Sequence, residues 1–450
     1  MKDRRGGKAR DLRYNGPMVW ARILCSMMLL AGLVGCDAGQ VGIDPPDADV
    51  DAEDACCAED DGGASEDDAG VPQDDGTVEE DEGGALEDDG AAGEDEGAAE
   101  DDPGPPPARF SFAAFADNQF ATESCTSGVP ERLAVPEAIL AADVDFVLEA
   151  GDQMDHGYDD GAYAKLVECY AGMLAALPYF PALGNHDAGS GAVWDFKAYL
   201  EEQLFTRNPA VWGAGYAEAF PTVYEDDPTS YSTDPSNPVS GTSVPSGFSF
   251  KTFYTFRHQN TVFIAFEIGT RWWSNTPRTW LEEHLRTARE DPTVEHVVVF
   301  MHHPLYSTTM AESGDGECIE PVRRYYGALF HQYDVELVLS GHAHVYDRFY
   351  VPDDGAATRA RPPPASYPWG AQAVHYIVSG GGGGPLPSGC DPAPGERQEL
   401  SYDFSQARGC GFHFLRVEVE GRRMRIQVIG VSGSASDYAT AVWDEFSIEP

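Results

Sequence analysis

Five short clusters of carboxylate, amide and imidazole side chains lie between Asp117 and His344. Such a mixed set of oxygen and nitrogen donors suits borderline metal ions such as Mn, Fe, Co or Zn, whereas calcium prefers oxygen ligands alone. The clusters are Asp117-Asn118-Gln119, Gly151-Asp152-Gln153-Met154-Asp155, Gly184-Asn185-His186-Asp187, His302-His303-Pro304 and Gly341-His342-Ala343-His344. Their residue types predict a metal centre.

Each cluster comes directly after a run of residues with strand character. The predicted strands cover residues 110–115, 146–148, 262–268, 296–301, 336–339 and 374–378, and a further run at 179–183 precedes Gly184. Such runs alternate with helical patterns, which indicates an α/β layer fold. Side chains that follow parallel strands converge on one crevice beyond the carboxyl ends of those strands. We therefore expect the five clusters to meet.

In their order and spacing, the five clusters resemble the D-x-H, G-D-x-x-D, G-N-H-D, H-x-P and G-H-x-H signatures of the calcineurin-like metallophosphoesterases. The resemblance spans most of the chain after Arg109, from Asp117 to His344. It implies a four-layer αββα sandwich in a domain at residues 108–450. It also implies a centre of two metal ions, which could be Fe, Mn, Zn or Co.

The resemblance assigns a role to each residue of this centre. Asp152 bridges the two ions, and a hydroxide between the ions attacks phosphorus, which the ions make accessible by neutralising the phosphoryl oxygens. His186 donates a proton to the leaving oxygen, and Asp187 orients His186. The remaining implied ligands are Asp117, Gln119 and His344 for the first ion, and Asn185, His302 and His342 for the second.

Two positions depart from the family pattern. Gln119 stands where most members have His, and its amide oxygen is a weaker ligand, so we expect a loosely held or different first ion. The block from Gly341 to Arg348 also resembles purple acid phosphatases, which place a Tyr ligand three residues after the G-D aspartate. Asp155 occupies that position here, so no tyrosinate-to-iron colour is expected.

Helical spacing of apolar residues predicts helices at 161–177 and at 277–290, the second with Thr276 as N-cap. Alternation around Gly421 predicts a β-hairpin at 412–430. Residues 207–247 are rich in Pro, Ser, Thr and Asp without a period, and we interpret them as an insertion, with a lid as an alternative. For the glycine run at 380–384 we prefer a flexible loop to a turn near the site.

The first hundred residues have a different composition from the rest. A basic segment and an apolar run that ends at Leu33-Val34-Gly35-Cys36 predict a signal peptide at 1–35, and this ending resembles a bacterial lipobox with Cys36 as the lipidated residue. Between Cys36 and Arg109 there is no Lys or Arg, although the whole chain has 76 Asp and Glu. Residues 36–107 are therefore predicted to be a disordered acidic tether, which also argues against nucleic acid as a partner.

An exported chain is expected to form disulfides. Our preferred pair is Cys390 with Cys410, and the second candidate is Cys125 with Cys169.

These features predict an extracytoplasmic, membrane-anchored hydrolase of phosphate esters. A monoesterase is the first choice, and a phosphodiesterase or nucleotidase with the same metal core is the alternative. A surface binding protein that keeps the fold without the activity is also open, since Gln119 weakens the ligand set.

Overall fold

A computed structural model describes residues 107–450 of the 450-residue chain, apart from 127, 189–192, 225–251, 269–277, 310–315, 354–364, 371–372 and 388–404. These residues contain fifteen strands: β1 (Arg109–Phe115), β2 (Phe146–Glu149), β3 (Tyr179–Pro181), β4 (Thr222–Tyr224), β5 (Tyr254–His258), β6 (Thr261–Ala265), β7 (His296–Phe300), β8 (Leu337–Ser340), β9 (Tyr346–Pro352), β10 (Ser366–Pro368), β11 (Ala373–Ser379), β12 (Ser405–Gly409), β13 (His413–Glu420), β14 (Arg423–Ser434) and β15 (Asp437–Glu449). All six strands predicted for the domain are present, with ends shifted by up to three residues.

The strands form two sheets. The first has the order β10-β15-β14-β13-β1-β2-β3 and the second has the order β12-β9-β11-β8-β7-β6-β5-β4. Strands β1, β2 and β3 run parallel, as do β6, β7, β8 and β11. The hairpin of β13 and β14 turns at Gly421, whose φ is 56°, which confirms the predicted hairpin.

Alternation of side chains along the strands explains the layers. Phe112 of β1 packs edge-on against Phe263 of β6 with ring centroids 5.3 Å apart, so the two sheets face one another across an aromatic core. On β7, Val298 joins this core, whereas Val299 faces a separate core shared with helices. Helices therefore cover the outer face of each sheet, and the predicted four-layer α/β sandwich is confirmed.

The helices of the described residues lie mostly between β1 and β4. They are α1 (Glu131–Leu140), α2 (Ala162–Cys169), α3 (Ala171–Ala176), α4 (Asn185–Ala188), α5 (Val193–Glu202), a π-helix (Gln203–Arg207), α6 (Asn208–Trp212), α7 (Tyr216–Ala219), α8 (Arg278–Glu290) and α9 (Gly316–Gln332). None of these helices is long and apolar enough to cross a membrane.

Two sequence predictions about helices need correction. The helix expected at 161–177 is broken at Tyr170, where φ is −95° and ψ is 12°, while the buried Tyr170 ring packs against Phe120. Residues 207–224 are not an irregular insertion, because they form α6, α7 and β4, and β4 extends the second sheet by pairing with β5. The rest of the 207–247 segment lies outside the described residues, as do Thr276 and Pro277.

A disulfide joins Cys125, in the loop after β1, to Cys169 at the end of α2. The second candidate pair is thus confirmed. Cys410 is also disulfide-bonded, but Cys390 lies outside the described residues, so the Cys390–Cys410 pair stays a prediction.

Candidate metal centre

The five clusters follow the strands that the fold aligns. Asp117 comes two residues after β1, Asp152 three after β2 and Asn185 four after β3 in the first sheet. In the second sheet, His302 comes two residues after β7, and His342 comes two residues after β8. The carboxyl ends of these parallel strands meet at one edge of the sandwich, which brings side chains more than 200 residues apart in sequence into contact.

The loops after β1 and β2 are joined by their backbones. The N–H of Asp117 donates to the carbonyl of Gly151 at 3.0 Å, and the N–H of Gln119 donates to the carbonyl of Asp152, also at 3.0 Å. Asp117, Gln119 and Asp152 have φ values of 63°, 49° and 59°. A positive φ is uncommon for residues other than glycine and clusters at functional sites, so the fold imposes a strained backbone here to aim these side chains.

Three ligand candidates form the second half of the centre: Asn185, His302 and His342. The amide oxygen of Asn185 lies 2.9 Å from Nε2 of His302 and 3.1 Å from Nδ1 of His342. Nε2 of His302 is also 3.1 Å from a carboxylate oxygen of Asp152. Asp152 therefore contacts this group through His302.

The first half consists of Asp117, Gln119 and His344. Nε2 of His344 lies 3.4 Å from Oδ1 of Asp117, and Nδ1 of His344 donates a hydrogen bond to the carbonyl of Pro385. A Cβ atom placed on Gly384 would lie 3.1 Å from Oε1 of Gln119 and 2.8 Å from the His344 ring. The amide oxygen of Gln119 and the His344 imidazole thus border the same glycine.

The glycine run at 380–384 is part of the centre. It is buried, and the N–H of Gly384 donates to the carbonyl of Asp117 at 2.7 Å. A Cβ atom on Gly380 would lie 2.4 Å from the carbonyl oxygen of Ala343 and 2.8 Å from Oδ2 of Asp117, so only glycine fits. The preferred prediction of a flexible loop is wrong, because the backbone itself packs beneath the first half.

Asp187 does not orient His186 as expected. Its Oδ2 accepts hydrogen bonds from the N–H groups of Asp152 at 2.8 Å and of Gly184 at 3.0 Å, and its Oδ1 accepts from Met154 at 3.3 Å. Burial and the charge of Asp152 raise the pKa of Asp187 to about 7, although these amides lower it. Asp187 therefore ties the loops after β2 and β3 together.

His186 is oriented by the backbone of Asp155 instead. Nδ1 of His186 lies 2.6 Å from the carbonyl of Asp155, which can only accept, so Nδ1 carries the hydrogen. Nε2 then faces the centre, 3.9 Å from Oδ2 of Asp152. Burial lowers the pKa of His186, but the charge of Asp152 and the hydrogen bond to Asp155 outweigh it and the pKa is raised.

The centre carries a strong negative field. Burial lowers the pKa of His344, yet the hydrogen bond and charge of Asp117 raise it to about 9. Burial likewise disfavours protonated His302, but the Asp152 and Asp117 carboxylates raise its pKa well above the usual value. His342 is the exception, because burial and the neighbouring imidazoles lower its pKa well below the usual value. The carboxylates that favour a proton on His302 and His344 would also favour a metal cation.

The hydrogen-bond pattern of the imidazoles fits bound metal ions. Nδ1 of His302 donates to the carbonyl of Ala150 at 3.0 Å, so in the neutral ring Nε2 turns a lone pair toward the oxygens of Asp152 and Asn185. His344 turns its Nε2 toward Asp117 in the same way. Without a metal ion, a proton on Nε2 of each ring satisfies the facing carboxylate of Asp152 or Asp117. A bound cation would take the place of these protons, so the donors present suit metal ions.

One acidic residue of the centre was missed from the sequence. Glu267 lies two residues after β6, and its Oε2 accepts the N–H of His302 at 2.6 Å. Its Oε1 accepts a hydrogen bond from Nδ1 of His303 at 2.7 Å. No clear signal in the sequence marked it, because the predicted strand at 262–268 placed Glu267 inside the strand, whereas the observed strand ends at Ala265.

Comparisons with known proteins show which proteins this chain is similar to. A model of the calcineurin-like phosphoesterase family matches residues 110–346. A phosphoenolpyruvate phosphatase of Allium cepa is 28% identical over 213 residues, which cover 44% of this chain and 43% of the relative. The Fe(3+)-Zn(2+) purple acid phosphatase 12 of Arabidopsis thaliana is 27% identical over 180 residues, which cover 38% of this chain and 35% of the relative.

This chain spans less than half the length of these curated relatives. Among solved structures, the purple acid phosphatase PPD1 from yellow lupin (Lupinus luteus) seeds has a TM-score of 0.48 and 16% identity, and the match covers 76% of this chain and 54% of that one. The family model covers more than half of the 450 residues and contains all the predicted ligands, so the chain belongs to the calcineurin-like phosphoesterase family.

Proposed function

We propose that this protein hydrolyses phosphate esters at a centre of two metal ions. The observation that carries the proposal is the convergence of oxygen and nitrogen donors from two sheets, with separations of 2.9–3.4 Å among them. Asp117, Gln119 and His344 would hold one ion, Asn185, His302 and His342 the other, and Asp152 both. Bound ions supply concentrated positive charge for the phosphoryl oxygens and acidify water.

The side chains of the protein would hold the ions, donate the proton and keep the loops in place. The buried Asp152 carboxylate, whose pKa is lowered chiefly by His302 against the effect of burial, would reduce the repulsion between two bound cations. His186 presents Nε2 to the centre while the Asp155 carbonyl holds Nδ1, so the ring can donate a proton from Nε2 to the departing alkoxide. Asp187 holds the loops that carry Asp152 and His186 together through hydrogen bonds to their backbone N–H groups.

The proton-donor role is tested by replacing His186 with Ala and varying the leaving group. We expect kcat for an alkyl monoester to fall by about 10²–10⁴-fold, which is the usual contribution of a general acid. The loss should be much smaller for p-nitrophenyl phosphate, because p-nitrophenolate leaves without a proton. His284→Ala, which removes a partly buried imidazole from α8, is the control.

The same assays decide the substrate class. The names of both plant relatives describe phosphatases, which favours a monoester over a diester or nucleotide substrate. Rates on an aryl monoester, an aryl diester and nucleotides would rank these classes. If wild type and the His186→Ala variant are equally inert with Mn, Fe, Co and Zn, the proposed hydrolysis is wrong and a binding role replaces it.

The identity of the metals is also part of the proposal. Asp155 occupies the position of the tyrosine ligand of purple acid phosphatases, so an iron-loaded protein should show no tyrosinate absorption in the visible range. A band that disappears on reduction of the iron would contradict this expectation.

We further propose that the protein is exported and anchored to a bacterial membrane through lipidated Cys36. The support is the sequence that precedes Cys36 and the Cys125–Cys169 disulfide, since disulfides persist in oxidising compartments. Labelling with a radioactive fatty acid in a bacterial host should mark the wild type but not Cys36→Ser. Equal labelling, or none in either, would overturn the anchor.

A further inference from the structure

The side chain of His303 has a buried nitrogen that the proposed roles do not use. His303 is 3% exposed, and its Nε2 has no hydrogen-bond partner among the described residues. An unsatisfied polar atom in a protein interior costs roughly 1–3 kcal/mol, so such an atom next to a metal centre points to a missing partner.

The Glu267 carboxylate fixes which nitrogen of His303 is free. A carboxylate accepts hydrogen bonds, so Nδ1 of His303, 2.7 Å from Oε1 of Glu267, carries the hydrogen. The backbone N–H of His303 donates to the other oxygen of Glu267 at 3.2 Å. With the hydrogen on Nδ1, the nitrogen left to bind a metal ion is Nε2. Metal-binding histidines commonly give their second N–H to a carboxylate in this way.

His303 lies among the imidazoles of the second half. Its ring centroid is 4.4 Å from that of His342 and 5.0 Å from that of His302. One ligand atom from each of the three rings can be chosen so that all lie within 4.8 Å of one another. Bonds from zinc to imidazole nitrogen are about 2.0–2.1 Å, so two nitrogens on one ion lie at most about 4 Å apart. The separations among the three rings are therefore close to those that one shared ion would need.

We propose that His303 is an additional ligand of the second metal ion, held for this role by Glu267. The inference rests on the metal centre of the proposed function and extends its ligand set. The second ion then has imidazoles from His302, His303 and His342, whereas the first has one imidazole and oxygen ligands. A nitrogen-rich site of this kind favours zinc or cobalt over manganese or magnesium.

The test measures metal binding directly on the full chain. The protein is stripped with a chelator and titrated with Co²⁺, and the two dissociation constants and the d–d absorption are recorded. We expect wild type to bind two ions. His303→Ala should bind the second ion at least about 100-fold more weakly with altered absorption, and Glu267→Gln about 10–100-fold more weakly, which is typical of supporting partners of metal ligands.

Two further variants keep the test decisive. His296→Ala removes another fully buried imidazole with an unpaired nitrogen, at the start of β7, the strand that precedes His303. It should leave both dissociation constants unchanged. With His303→Gly, added imidazole should restore the second constant and the absorption, which an unfolded variant could not show.

The outcomes separate the two proposals. Wild type that binds no metal contradicts the proposed function as a whole. Wild type that binds two ions, with His303→Ala retaining both constants and the absorption, overturns only this inference. The inference is also overturned if His303→Ala raises the KM for substrate while metal affinity is unchanged, because His303 would then contact the substrate.

Discussion

The two halves of the metal centre are positioned by different means. Asp117 and Gln119, in the first half, come from a loop with positive φ values that packs on a glycine run. His302, in the second half, is held by side-chain and carbonyl acceptors, chiefly Glu267 and the carbonyl of Ala150. The first half therefore depends chiefly on the glycine run beneath it. The second half depends on particular acceptors in addition to glycines of its own, since a Cβ atom on Gly151 would lie 2.8 Å from His302.

This difference predicts how each half responds to mutation. Adding a single carbon near the first half should displace a ligand, because its backbone cannot move without breaking the loop pairing between Asp117 and Gly151. In the second half, removal of a carboxylate should matter most, because a buried donor that loses its acceptor is costly. His342 belongs to both, since its N–H donates to Asp117 while its ring faces Asn185.

The largest effect is expected at Asp152, which the two halves share. Asp152→Asn should reduce kcat/KM by roughly a thousandfold or more and weaken both ions, since metal ions contribute several kcal/mol to the transition state. Phosphatase rates and metal content measure this. Asp143→Asn is the matched control, because Asp143 is an exposed aspartate with a φ of 53°. Loss of only one ion would show that Asp152 does not bridge.

The next largest effect is expected at Asp187, whose carboxylate joins the loops after β2 and β3. Asp187→Ala leaves at least three buried N–H groups without their acceptor, and each costs about 1–3 kcal/mol, so we expect the free energy of unfolding to fall by roughly 3 kcal/mol or more. Chemical denaturation measures this, with Asp160→Ala as the exposed control.

The dependence of kcat on the leaving group separates Asp187 from His186. Asp187→Ala should lower all rates together, because it loosens the loops without removing the proton donor. A selective loss on alkyl esters, as expected for His186→Ala, would mean that Asp187 acts through His186 after all.

A smaller effect is expected at Gly380, whose backbone packs against the first half. Gly380→Ala places a carbon 2.4 Å from the carbonyl of Ala343 and 2.8 Å from Oδ2 of Asp117. Overpacking costs about 1–3 kcal/mol, which corresponds to roughly a fivefold to 150-fold weaker first ion with the second unchanged. Gly172→Ala is the control, since its nearest atom would be 3.7 Å away. Equal weakening of both ions would contradict independent halves.

Local patterns in the sequence were enough for the strands and for the convergence of the clusters, since Val298 and Val299 already show the buried run that precedes His302. They were not enough for Asp187, because adjacency to His186 does not reveal that its carboxylate turns toward the amides of Asp152 and Gly184. Strand β15 was missed because most of its residues are at least partly exposed and leave no apolar alternation.

Glu267 and the glycine run were overlooked for a related reason. Their function comes from contacts with residues distant in the chain, such as the 2.7 Å hydrogen bond between Gly384 and Asp117. Glycine is compatible both with a flexible loop and with tight backbone packing. Only the tertiary structure distinguishes these two uses.

The smallest expected effect concerns the chemistry of the first half. Gln119→His replaces a neutral amide oxygen by an imidazole nitrogen, so the first ion should bind about tenfold more tightly, a gain of about 1.4 kcal/mol. The second dissociation constant should stay the same, because Gln119 borders His344 and Gly384 in the first half. Titration with Co²⁺ measures both constants. An unchanged first constant would remove Gln119 from the ligand set, and a tighter second ion would show that the two halves are coupled through Asp152.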